Sequence, residues 1–138
     1  MSAIEALQKA QKFALSNKPA AGGFPFLAEV LRQSGVTRNI WHLPSCQNVY
    51  LTKTGPVVSQ GTPLLRGYAD VPQFNPEELI RVLRKDQAGQ SSFPEFLKGA
   101  WESGVVRYDV DFEKRVVSYF GINEEIYVEE YPSVNLNL

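Results

Sequence analysis

Apolar side chains recur along this chain in two periods, and the switch from one to the other happens twice. From Ile4 they fall at three- and four-residue spacing through Leu7, Ala10, Phe13 and Ala14. This is the stripe of an amphipathic helix, with Lys9 and Lys12 on its wet side. Ser2 and Glu5 are spaced as a capping box, and Pro19 with the Ala-Ala-Gly-Gly that follows ends the helix near Asn17. A second helix is predicted from Phe24 to Ser34, with Pro25 in its first turn, Leu27, Val30 and Leu31 as its buried stripe, and Gly35 as its left-handed stop. The period then drops to two. Val36 to Leu43, Asn48 to Thr52 and Val57 to Gln60 read as three short strands.

The succession then returns. Asn75-Pro76-Glu77-Glu78 combines a capping asparagine, a proline at the first helical position and a glutamate that can reach back to the cap. Leu79, Val82 and Leu83 face inward, and Arg81, Arg84 and Lys85 sit toward the carboxyl end, where cations suit the helix dipole. Ser92 and Glu95 box the start of a fourth helix carrying Phe96, Leu97, Ala100 and Trp101, which Gly104 ends. Val106, Tyr108, Val110 and Phe112 then alternate with Arg107, Asp109 and Asp111, the mark of a half-buried antiparallel strand. Val116 to Phe120 and Ile126 to Tyr131 complete three strands, and Pro132 stops the pairing. Between the two successions, Leu64, Leu65, Tyr68, Val71 and Phe74 make residues 61–74 too apolar for a free linker, and the segment is expected to lie across the core.

An offset of 69 residues superposes the halves: Phe24-Pro25 falls on Phe93-Pro94, Ser34-Gly35-Val36 on Ser103-Gly104-Val105, Arg38 on Arg107 and Tyr50 on Tyr119. Trp41 and Leu43 fall on Val110 and Phe112, so the buried phase of the strand is kept. The expected fold class is therefore α+β, a tandem duplication of a helix–helix–strand–strand–strand unit with antiparallel sheet or sheets packed by helices. One domain is expected, built from repeats at 1–60 and 75–132 with a packed connector at 61–74 and a tail at 133–138. Whether the two three-stranded sheets join edge to edge is left open by the pattern.

At SFPEFLKGAWESGVVRYDVDF and VVSYFGINEEIYVEEYP the sequence resembles the YbcV-like prophage family, a domain of unknown function loosely described as phage envelope-protein-like. The likeness rests on Phe93-Pro94, Gly104, Tyr119-Phe120-Gly121 and the run from Val128 to Pro132, and is weaker over the first repeat. It implies a duplicated α+β fold and a phage or prophage context. It brings no catalytic residues.

Composition narrows the chemistry. With 138 residues, 43% of them apolar and 21% charged, the chain has the balance of an ordinary globular domain. Fourteen basic against fifteen acidic side chains leave a net charge of −1, which argues against a phosphate-tracking nucleic-acid binder. Cys46 is the only cysteine and His42 the only histidine, which excludes an internal disulfide and any multi-histidine or cysteine-rich metal site. The N-terminal segment has no apolar signal core and no run of apolar residues is long enough to span a bilayer, so a cytoplasmic protein without a membrane partner is expected.

The candidate site residues are binding rather than catalytic. His42 and Cys46 are close in sequence, but no oxyanion or third-residue motif accompanies them, and they are read as unrelated. Asp109 and Asp111 share one strand face, while Glu129 and Glu130 point opposite ways, so this group is read as a solvated face rather than a metal or acid–base site. Tyr108, Tyr119, Phe120, Tyr127 and Tyr131 form one aromatic cluster, divided between core and a ligand or partner face, tyrosine being apolar with a polar tip. Arg38 and Arg107, equivalent in the two repeats, are candidates for an anion site, each with a carboxylate near its sheet as the competing partner. No phosphate loop, dinucleotide fingerprint or nucleophile elbow occurs. The resulting expectation is a non-enzymatic interaction or accessory domain without cofactor or metal, whose partner is a second copy or another protein. The alternative is a small-ligand binder or enzyme using a cleft between the repeats.

Overall fold

The two sets of strands close into one antiparallel sheet. The computed structural model describes residues 2–136. Its elements run α1 (Ala3–Asn17), α2 (Gly23–Gln33), β1 (Val36–His42), β2 (Gln47–Thr52), β3 (Val57–Gln60), α3 (Pro76–Gln87), α4 (Phe93–Glu102), β4 (Arg107–Asp111), β5 (Val116–Phe120) and β6 (Ile126–Glu130). This is the helix–helix–strand–strand–strand order twice over, in an α+β fold. The strands lie in the order β3-β2-β1-β4-β5-β6, so the halves meet edge to edge through β1 and β4. Ile40 faces Asp109 across that seam, and these are the residues the 69-residue offset makes equivalent. A pseudo-twofold axis therefore passes between them.

The helices cover one face of the sheet. Asn39 and Trp41 of β1, Asn48 and Tyr50 of β2, Tyr108 and Val110 of β4, and Val117 and Tyr119 of β5 point into the core, where they meet Leu7, Ala14, Ala28, Leu31, Leu79, Leu83, Phe96, Leu97 and Ala100 of the helices. The opposite face carries Arg38, Ile40, Arg107, Asp109 and Val128 and has no helix over it. Alternation along each strand decides this division, because successive side chains leave a strand on opposite sides. A bulge between Val36 and Arg38 keeps both Val36 and Asn39 inward despite their odd spacing.

Helix ends follow the capping chemistry, with two differences. Ser92 and Glu95 form the full reciprocal box on α4. On α1 and α3 only half of it forms: Ser2 and Asn75 accept from the backbone N–H of Glu5 and Glu78. Glu78 pairs instead with Arg81, its neighbour one turn on. Ile4, expected on the buried stripe of α1, is exposed, because the stripe narrows to Leu7, Ala10 and Ala14 where α1 meets α2.

Residues 61–74 contain no helix or strand. Leu64 and Phe74 pack against the core, whereas Tyr68 and Val71 are exposed. The end of this segment is held tightly: Asn75 N–H donates to Ser103 O at 2.8 Å. Gly104, at φ +88°, passes so close to Phe74 that a Cβ would lie 2.5 Å from its Cα. Of the tail expected at 133–138, residues 133–136 are irregular, with Leu136 partly packed on the core, and 137–138 lie outside the described residues.

Candidate ligand cavity between the halves

The inner face of the sheet carries one rung of four aromatic rings. Trp41 is opposite Tyr108, Tyr108 opposite Tyr119, and Tyr119 opposite Tyr127. Their centroids are 6.1, 5.8 and 6.3 Å apart, so the rings form a continuous band across four strands. Phe96 of α4 meets Tyr108 edge-on at 6.1 Å, and Phe93 meets Trp41 edge-on at 5.2 Å. Helix α4 thus closes one side of the band, while Phe24 at the start of α2 packs edge-on against Tyr131 at 5.1 Å on the other.

Between the band and the helices lies a cavity of about 260 Å³, lined from the first half by Phe24, Asn39, Trp41 and Tyr50, and from the second by Asp86, Ser91, Phe96, Tyr108, Tyr119 and Tyr131. It continues into a hollow bounded by Gly22–Pro25, Arg84, Asp86, Gln87 and Glu129–Pro132, which is its mouth. The turn after α3 rests on the α1–α2 loop at this rim. Gly22 N–H donates to Gln87 O at 3.1 Å, and a Cβ on Gly89 would lie 2.5 Å from Ala20 O.

Polar groups at the cavity fall into two kinds. Those at the mouth are satisfied. Glu129 accepts from Arg84 Nη1 at 2.8 Å, Gln87 Nε2 at 2.7 Å and Tyr127 Oη at 2.6 Å. Burial alone would push its carboxyl up, but these three donors hold it below the usual glutamate range. Inside, the hydroxyls of Tyr108 and Tyr119 make no hydrogen bond among the described residues, although the two residues are only 6% and 5% exposed. Burial raises both phenols well above their ordinary range, and nearby carboxylates raise that of Tyr119 further. Both therefore remain neutral donors. Tyr131, less buried, is pushed up to about 12. Tyr50 differs, since its hydroxyl accepts from Gln11 Nε2 at 3.3 Å. The Asp86 carboxylate accepts from Ser91 Oγ at 3.2 Å and has no ion-pair partner among the described residues. Burial pushes its carboxyl up.

The structure separates the residues singled out from the sequence. Tyr108, Tyr119 and Tyr131 line the cavity, and Tyr127 stands behind Glu129 at its rim. Arg38 and Arg107 lie on the uncovered face, on the other side of the sheet from the tyrosines. Both lean on the same carboxylate, Asp109, at 3.8 and 3.4 Å, and Arg107 also lies 4.1 Å over the Phe120 ring. Asp111 and Glu130 share that face but have Val116 between them. Two strand spacings put them about 10 Å apart, and Glu129 is on the opposite side. Cys46 is fully buried, with its thiol raised by burial, while His42 is exposed. Sequence reasoning did not single out Trp41, Phe24, Asp86 or Ser91. Only strand pairing puts Trp41 beside Tyr108, and only the docking of the α3–α4 turn brings Asp86 under the sheet.

A one-layer antiparallel sheet, backed by four helices and holding an aromatic cavity between its halves, defines the class: a small two-layer α+β protein with a ligand-sized cavity. More specifically, the chain belongs to the DUF1398 family of proteins of unknown function, whose pattern matches residues 12–130. It is 52% identical over 131 residues to the uncharacterised proteins Mb2035 of Mycobacterium bovis and Rv2012 of Mycobacterium tuberculosis, covering 95% of this chain and 80% of each relative. No helix among the described residues is long and apolar enough to cross a membrane.

Proposed function

We propose that this protein binds a small, flat, largely apolar organic molecule in the cavity between its halves, without catalysing its conversion. One observation carries the proposal: Tyr108 and Tyr119, whose hydroxyls make no hydrogen bond among the described residues, line a 260 Å³ space walled by aromatic rings from both halves. A hydroxyl reachable from such a space takes its partner there, from water or from a bound molecule, because the chain itself supplies none. A 150 Å³ apolar cavity accommodates benzene, so a space of 260 Å³ suits a molecule of about ten non-hydrogen atoms.

The test is a thermal-shift screen of small aromatic compounds, read again through the fluorescence of Trp41 in a Trp101→Phe background. A bound ligand at one hundred times its Kd stabilises by about 2.7 kcal/mol, a rise in Tm of about 8 °C. The double variant Tyr108→Phe, Tyr119→Phe is expected to remain folded and to lose about thirtyfold in affinity for such a compound, since each of the two hydrogen bonds is worth about 1 kcal/mol. The proposal fails if no compound raises Tm or perturbs Trp41.

A second reading, an interaction domain that meets a second copy of itself, is favoured by the uncovered sheet face. There Val58, Ile126 and Val128 are 66%, 56% and 48% exposed on the edge strands β3 and β6. The prophage context rests on the motifs from Phe93 to Pro132 alone, and the cytoplasmic location on composition and sequence pattern.

A further inference from the structure

Building on the cavity reading, we infer that the ligand is an organic cation, an aromatic amine whose ammonium group sits against Asp86 while its ring lies against the Tyr108–Tyr119 band. The walls present ring faces, whose quadrupoles are negative, and a cation gains most from such a surface when it is removed from water. The charged groups at the cavity are unequal. Asp86, Glu129 and Glu130 line it against one basic side chain, Lys18. Glu129 is already neutralised by Arg84 at 2.8 Å, and Glu130 is exposed on β6. Lys18 is exposed too, and its alkyl stem lies along Gly23, 3.3 Å from where a Cβ would sit. That leaves Asp86 as the half-buried charge with no ion pair among the described residues, the exposed Lys18 acting on it only from beyond contact.

Asp86 is also the next-to-last residue of α3. The carboxyl end of that helix adds partial negative charge at the same place. Two helix amino ends border the cavity as well, but that of α4 is closed by the Ser92–Glu95 box, which includes a carboxylate. The other, at Gly22–Gly23 of α2, lacks a side-chain cap and lies toward the mouth. The tyrosine hydroxyls provide the second, independent feature. Both tyrosines are more than nine-tenths buried, their hydroxyls make no hydrogen bond among the described residues, and an oxygen lone pair of either can take an N–H of the ammonium.

Three probes of nearly equal size separate charge from shape: 2-phenylethylamine, 2-phenylethanol and phenylacetate. Each is titrated into the full chain by calorimetry, with wild type and Asp86→Asn in parallel. The amine is expected to bind at least about tenfold more tightly than the alcohol, and phenylacetate least. Asp86→Asn should remove about tenfold from amine affinity and leave alcohol affinity unchanged, which a merely structural role for Asp86 would not do. If the alcohol or the acid binds wild type as tightly as the amine does, or if Asp86→Asn weakens all three alike, the charge assignment is overturned while the cavity reading stands. If none of the three binds, the assignment is likewise overturned. The cavity reading falls with it only if the broader screen is also silent.

Discussion

Two carboxylates lining the same cavity respond to it in opposite senses. Glu129 is lowered by the donors that converge on it, so the folded state holds its proton less tightly than the unfolded chain. Its contribution to stability is present above the unfolded glutamate range and lost as pH falls through the folded value. Asp86 is raised by burial, so its folded form holds a proton more tightly. Its contribution favours folding below the unfolded aspartate range and is lost as pH rises through the folded value. Glu129→Gln should therefore lower Tm more at about pH 7 than at about pH 3, whereas Asp86→Asn should raise it more at about pH 7. Thermal denaturation of both variants across that range checks the signs, and parallel profiles would contradict the assignment. Neither behaviour was legible in the sequence. Arg84 and Glu129 are 45 residues apart and meet only because α3 lies over β6.

The elements themselves were largely written in the chain. Ser92 with Glu95, Asn75 with Pro76, and the left-handed glycines after α2 and α4 place the helices to within a residue or so, because capping is local chemistry. The second function of Gly104 was hidden. It ends α4, and it also lets the backbone at Gln73 and Phe74 approach within a distance no Cβ permits. Gly104→Ala must distort a +88° φ and push that backbone away, with an expected cost of about 2–4 kcal/mol. Urea denaturation measures it, and a loss below about 0.5 kcal/mol would mean the connector is not held there. Gly35, with φ +103° but only the Lys53 side chain within 4 Å, should be the milder of the two repeat-equivalent positions.

At the scale of the whole molecule, one sheet with one covered face sets the balance between the two functional readings. The inner face holds the cavity, and the outer face leaves Ile126 and Val128 in water on β6, an edge strand. Proteins protect such edges with charge, a bulge or a partner. If a second copy covers this edge, light scattering should report a dimer that Val128→Lys converts to monomer, with little change in Tm at low concentration. A wild type that is monomeric throughout would remove the dimer reading and leave the cavity untouched.

The sequence by itself determined the two periods, the caps, the turn glycines and the 69-residue correspondence, and through them the α+β class and the repeated element order. These depend on contacts within a few residues of each other. It grouped Tyr108, Tyr119, Phe120, Tyr127 and Tyr131 as one aromatic set, of which the sheet places three tyrosines along one cavity wall and Phe120 on the uncovered face. It could not say that β1 and β4 join, because any exposed edge can accept a strand and the choice depends on how the two helix pairs fit together over the sheet. That choice set Trp41 against Tyr108, sent Arg38 and Arg107 to the far side, and brought Asp86 beneath the rings. The tertiary structure decided the cavity, since a space between elements belongs to none of them.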